Sequence, residues 1–130
     1  MAAALVHRGP DSDGIVVTAR AGLAHTRLAI LDLTESGAQP MWSDDGRYAL
    51  AYNGEIYNFQ ALRSELEAQG ERFRGRSDTE VVLRLLARDG ERALPRLQGM
   101  FALALLDAQQ GSVLLARDRA GQKPLYLAEL

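Results

Sequence analysis

Asn53 and Gly54 stand side by side in the stretch Asn53-Gly54-Glu55-Ile56-Tyr57-Asn58, after an apolar run and before a helical pattern. Asn-Gly is the commonest hairpin dipeptide, so a plain turn accounts for the pair taken alone. The chemical alternative is that the Asn53 side-chain amide and the Gly54 backbone N–H aim at one spot. Two such donors would form an oxyanion hole, each worth about 2.7–4 kcal/mol in a transition state. On that reading glycine is needed because a Cβ would block the approach of a substrate carbonyl.

Three charged residues extend the possibility. Arg27 lies in the apolar stretch 23–31 and reads either as a surface guanidinium on an edge strand or as a bidentate carboxylate clamp. Asp78 falls in the first turn of an expected helix, where it complements the macrodipole or binds an ammonium group. Glu55 is either solvent-facing or a second ammonium ligand. A carboxylate clamp beside an ammonium clamp would select an α-amino acid. His7 and His25 are the only histidines and lack metal-ligand spacing, so no metal site is expected. Trp42, Tyr52 and Tyr57 read equally as core or as pocket wall.

The elements that must position these residues follow from periodicity. Residues 15–19 and 22–31 read as strands, and Ser43-Asp44-Asp45-Gly46 as a hairpin turn into a strand over 48–52. Asn58 is the expected N-cap of a helix with Phe59, Leu62 and Leu66 on one face and Gly70 at its stop. Ser77-Asp78-Thr79-Glu80 is a capping box opening a second helix, with Val81, Val82, Leu85 and Leu86 as its buried stripe and Gly90 at its end. A helical turn carries Leu94, Pro95 and Leu97. The apolar runs 100–106 and 113–116 read as a buried hairpin, and 123–130 as one more strand. His7-Arg8-Gly9-Pro10-Asp11 reads as a turn. Strands, two helices, then strands give an α+β sandwich with helices on sheet.

Composition sets the bounds. A chain of 130 residues, 47% hydrophobic and 25% charged, is an ordinary globular domain or part of one. Its 15 basic and 17 acidic residues are interspersed, for a net charge of -2, so neither nucleic acid nor a membrane surface is an expected partner. There are no cysteines, which excludes disulfides and thiolate metal sites. The apolar residues 1–6 are too few for a signal segment, and a cytoplasmic protein is the default.

Seven ordered blocks together resemble the glutaminase domain of glutamine-hydrolysing asparagine synthetase, a class II glutamine amidotransferase. They are His7-Arg8-Gly9-Pro10-Asp11, His25 to Asp32, Gln39-Pro40-Met41, Asn53 to Asn58, Ser77 to Val81, Gln98-Gly99-Met100-Phe101-Ala102 and Arg117 to Tyr126. The resemblance implies an N-terminal-nucleophile hydrolase fold, an αββα sandwich of two antiparallel sheets between helical layers. It also implies L-glutamine as ligand: Arg27 on its α-carboxylate, with backbone from Leu28, Ile30 and Leu31 lining the same pocket. Glu55 and Asp78 would take the α-ammonium, and Asn53 with Gly54 the oxyanion. The last block carries no assignable chemistry and is expected to be a structural turn.

The chain departs from the family at its ends. The family begins Met-Cys-Gly-Ile, and the exposed cysteine uses its own α-amine as base; here the second residue is Ala2. The family's first strand and most of its first helix are expected to be absent, residues 1–6 matching only that helix's tail. An ATP- and magnesium-dependent synthetase domain is likewise expected to lie outside the chain. Hydrolysis without the thiol would retain about 10³–10⁴-fold acceleration over water, which is negligible turnover. Two hypotheses follow: the glutamine pocket of an amidotransferase without its nucleophile, or a degenerate domain that binds an amino acid or a partner. An unpaired sheet edge would also favour self-association and marginal stability.

Overall fold

Alternating apolar residues and two helical stripes build six strands and two α-helices among the described residues. Strand β1 (Ser12–Val17) pairs antiparallel with β2 (Gly22–Arg27). Strands β3 (Met41–Trp42), β4 (Tyr48–Ile56), β5 (Gly99–Asp107) and β6 (Ser112–Arg117) form a second antiparallel sheet in that order. Helices α1 (Phe59–Ala68) and α2 (Asp78–Asp89), then a 3₁₀ helix over Gly90–Arg96, connect β4 to β5. The computed structural model describes residues 7, 9, 12–27 and 38–129, with Ser12 and Arg27 as backbone alone. The strand expected over 28–31 lies outside these residues, as does the turn over 7–11 apart from His7 and Gly9.

The central pair β4–β5 supplies both inner faces. Leu50, Tyr52 and Ile56 of β4 and Phe101, Leu103 and Leu105 of β5 pack under Leu62 and Leu66 of α1 and Val81, Val82, Leu85 and Leu86 of α2. The opposite face carries Ala49 and Leu106 against Val16 and Leu23 of the β1–β2 hairpin. Alanines 51 and 104 flank that contact and let the two sheets approach closely. The described layers therefore run helices, four-stranded sheet, two-stranded sheet. Ile15 and Val17 point out of the far side of the hairpin and are exposed.

Helix ends follow backbone demand. Gly70, at φ 96°, ends α1: its N–H donates to Glu67 O, and the Glu71 N–H to Leu66 O, which satisfies carbonyls the helix leaves open. Asn58 precedes α1 but does not cap it with its side chain. Its amide instead donates to Arg96 O at 3.0 Å and accepts from Gln98 N at 3.1 Å, tying the start of α1 to the start of β5. The 43–46 turn forms as expected, with Gly46 at φ 68° and its N–H on Ser43 O.

Three strand expectations need correction. The first strand runs Ser12–Val17 rather than 15–19, because Thr18 turns the chain by accepting from Arg20 N and Ala21 N. The 113–116 run is only half of a buried hairpin: β6 is the sheet's edge strand, and Val113 and Leu115 stand on its uncovered side. Residues 123–129 form no strand. Their path leaves the sheet after Asp118, and Tyr126 and Leu127 are exposed.

Asp118 is the structural knot expected of the 117–126 block. Its carboxylate accepts from Lys123 N (3.0 Å), Gln122 N (2.9 Å) and Phe101 N (3.1 Å), which fastens the departing chain to β5. Those backbone donors, the one from Lys123 foremost, hold its pKa down to about 2. A depressed carboxylate stabilises the fold fully above its unfolded pKa, near 4, and the contribution is lost as pH falls toward 2. Thermal melts between pH 5 and 2 should therefore show Asp118→Asn less acid-sensitive than wild type. Parallel pH dependences would show that Asp118 is not titrating with folding.

Candidate functional site

The N-terminus of α2 is fixed by its own sequence and by the loop before it. Ser77 Oγ accepts from Glu80 N at 3.3 Å, so one half of the capping box forms. The other half does not. Glu80 reaches past Ser77 to accept from Arg74 N (2.9 Å) and Gly75 N (2.8 Å), and pairs with Arg84 at 3.0 Å. Burial opposes its charge, but these two backbone donors and the Arg84 guanidinium hold Glu80 below the usual carboxylate range. Arg63 donates to Gly75 O at 2.7 Å, and its guanidinium and that of Arg84 stack on the Phe73 ring at 4.3 and 5.1 Å. The loop is thereby clamped between the two helices, and Asp78, the first residue of α2, is placed against β4.

Asp78 Oδ2 accepts two hydrogen bonds, from Tyr52 Oη at 2.8 Å and from Ile56 N at 3.0 Å. Tyr52 is 4% exposed, so its hydroxyl meets Asp78 at the inner margin of the helix-facing core. Burial, then the charge and hydrogen bond of Asp78, then the charge of Glu55, push the Tyr52 phenol far above its ordinary pKa. Both carboxylates thus favour the neutral phenol, which donates to Asp78. Its backbone N–H donates to Gln39 Oε1 at 2.6 Å, beside the cis Gln39–Pro40 bond.

These bonds reveal the direction of the β4 edge. Tyr52 N and Ile56 N both point away from β5, toward Gln39 and Asp78. Strand N–H groups repeat every two residues, so the Gly54 N–H lies on the same edge, between two donors already taken. β3 reaches only Leu50 and Ala49 in the ladder and does not cover this stretch.

Asn53 and Gly54 are not a turn after a strand, since both lie inside β4, paired with Ala102 and Phe101. The requirement for glycine at 54 is also different from the one expected. A Cβ there would overlap the Met100 carbonyl oxygen and come within 2.7 Å of Phe101 Cα, so it is the neighbouring strand that excludes a side chain. Asn53 and Glu55 are both exposed on β4. Asn53, Gly54, Glu55 and Asp78 are thus brought to one end of the sheet. Arg27 ends β2, in register with Ser12; its side chain, and Leu28, Ile30 and Leu31, lie outside the described residues.

Two residues of this arrangement have no role assignable from sequence. Gln39 caps the Tyr52 N–H from 13 positions away, and the only local signal is a polar residue before proline. Tyr52 is open between core and pocket wall in the sequence, and in the structure its ring is buried in the core with its hydroxyl on Asp78. Among the described residues no group of three or more histidine or acidic side chains could hold a metal, and no helix is long and apolar enough to cross a membrane.

The whole chain, residues 1–130, matches the glutamine amidotransferase domain family. It is 48% identical over 93% of its length to asparagine synthetase B [glutamine-hydrolyzing] of Escherichia coli (strain K12), covering 22% of that protein. Asparagine synthetase [glutamine-hydrolyzing] 1 of Bacillus subtilis (strain 168) is 45% identical over 94% of the chain, which covers 19% of it. For asparagine synthetase [glutamine-hydrolyzing] 3 of Arabidopsis thaliana the values are 46%, 95% and 21%. The chain thus spans about a fifth of the length of these curated relatives. Among solved structures, the glutamine phosphoribosylpyrophosphate amidotransferase of B. subtilis, complexed with ADP and GMP, superimposes with a TM-score of 0.68. That match is at 26% identity and covers 89% of this chain and 33% of the other. The architecture is that of an N-terminal-nucleophile hydrolase.

Proposed function

Since the chain belongs to the glutamine amidotransferase domain family, we propose that the end of β4 and the start of α2 form the L-glutamine pocket of an asparagine synthetase-like enzyme. The observation that carries this reading is the β4 edge, where the Gly54 N–H lies between donors held by Gln39 and Asp78. Asp78, with one oxygen engaged by Tyr52 and Ile56, presents its charge to the α-ammonium, and Glu55 is the second carboxylate. Arg27, with backbone of Leu28, Ile30 and Leu31, takes the α-carboxylate. The Asn53 amide and the Gly54 N–H receive the oxygen of the side-chain amide as it becomes an oxyanion.

Hydrolysis needs a nucleophile that these 130 residues do not include, since they contain no cysteine. A thiol supplied by a preceding Met-Cys-Gly-Ile segment would attack the amide carbon, release ammonia and leave glutamate after hydrolysis of the thioester. Amidation of aspartate by that ammonia, with ATP and magnesium, would fall to a separate synthetase domain. A second reading is a domain that holds an amino acid or docks a partner without turnover.

Calorimetric titration separates the two readings from a pocket that is not formed. L-Glutamine should bind the folded 130-residue protein saturably, and Arg27→Ala should remove the heat. Joining the cysteine-bearing strand and helix should then yield glutamate. Binding without glutamate release from an intact, folded fusion favours the second reading, and no binding by folded wild type overturns the pocket itself.

A further inference from the structure

We infer that Tyr52 is a positioning residue that sets the selectivity of this pocket for an α-ammonium group, acting through Asp78. The inference rests on the proposed glutamine pocket and deepens it. Asp78 lies at the start of a helix, where a carboxylate can take several rotamers and would ordinarily satisfy the local backbone donors. Here it does neither. Its Oδ2 is pinned from the sheet side by the Tyr52 hydroxyl at 2.8 Å and the Ile56 N–H at 3.0 Å.

Tyr52 can do this because it is itself held at both ends. Its ring belongs to the same helix-facing core cluster as Leu50, Ile56, Val81 and Phe101, and its backbone N–H is fixed by Gln39 Oε1 at 2.6 Å. Burial and the adjacent Asp78 carboxylate push its phenol pKa up, which favours the hydroxyl as a donor. Charge-assisted hydrogen bonds of this kind are about twice as strong as neutral ones. Asp78 Oδ2 thus holds two donors, which would leave Oδ1 as the oxygen for a ligand in the proposed pocket. A cation with N–H donors is recognised by a carboxylate presented in this way, whereas a ligand lacking the amine gains nothing from it.

The test compares two ligands on the 130-residue protein: L-glutamine, and glutaramic acid, which keeps the amide and a carboxylate and lacks the α-amine. Tyr52→Phe keeps the ring in the core and removes only the hydroxyl. Glutamine affinity should fall roughly tenfold or more, the loss expected for one hydrogen bond to a charged group, while glutaramic acid binds as before. A second variant, Gln39→Ala, should shift the same ratio in the same direction by loosening the Tyr52 backbone. If both ligands weaken together, or the glutamine to glutaramic acid ratio stays unchanged in Tyr52→Phe, the positioning role is wrong while the pocket stands. If wild type binds neither ligand, the pocket reading fails and the inference with it.

Discussion

Alanine at position 54 is expected to destabilise the fold by about 2–3 kcal/mol, the range for forcing atoms into a packed site that cannot yield. The atoms a Cβ would meet are backbone, the Met100 carbonyl oxygen and Phe101 Cα, so no side-chain rotation relieves them. The clash is reciprocal, because a Cβ on Gly99 would overlap the Glu55 carbonyl oxygen from the facing strand. Gly54 faces Phe101 and Gly99 faces Ile56, so at each of these two pairs only one strand carries a side chain. Separating them would also move Ile56, whose N–H is held by Asp78. Calorimetric melting should show a midpoint roughly 10 °C lower for Gly54→Ala. The reading in which glycine serves only substrate approach predicts something else, namely full stability with impaired glutamine binding. An unchanged melting midpoint would restore that reading and remove the strand-contact explanation.

The contrast at Gly54 shows what one sequence carries and what it does not. The residue type is legible, and its reason is not, because the reason is a strand 47 positions further along. The same division runs through the fold. The stops at Gly70 and Gly90, the turn at 43–46 and the apolar stripes of α1 and α2 are local and legible in the sequence. The capping roles expected of Asn58 and Glu80 fail because each side chain has a stronger claimant elsewhere, Arg96 and Gln98 for one and the Arg74–Gly75 backbone for the other. Burial of β6 fails for a related reason, since an apolar strand at a sheet edge is covered only where another layer reaches it. At the site, residue types and order suffice to nominate Asn53, Gly54, Glu55 and Asp78. Gln39 and Tyr52 emerge only from hydrogen bonds spanning the chain.

Asparagine at position 78 is expected to weaken L-glutamine binding by about 100-fold or more while leaving the fold intact. The choice of substitution matters. Alanine would strand the Ile56 N–H and the Tyr52 hydroxyl without an acceptor at the edge of the core, so a loss of binding could be a loss of structure. Asparagine keeps an oxygen where both donors already point, and it completes the first turn of α2 as aspartate does. What it removes is the charge, and what it adds is an N–H₂ group on the side facing the ligand. An ammonium ligand then meets donors in place of an acceptor, and truncating one partner of a hydrogen-bonded charge pair costs about 2–5 kcal/mol, or 30-fold to several thousandfold. Titration calorimetry with L-glutamine, alongside a melting curve, reads both quantities on one sample. A normal melt with undiminished glutamine affinity would mean that Asp78 serves the helix and the strand alone, and that the ammonium, if bound, is held by Glu55.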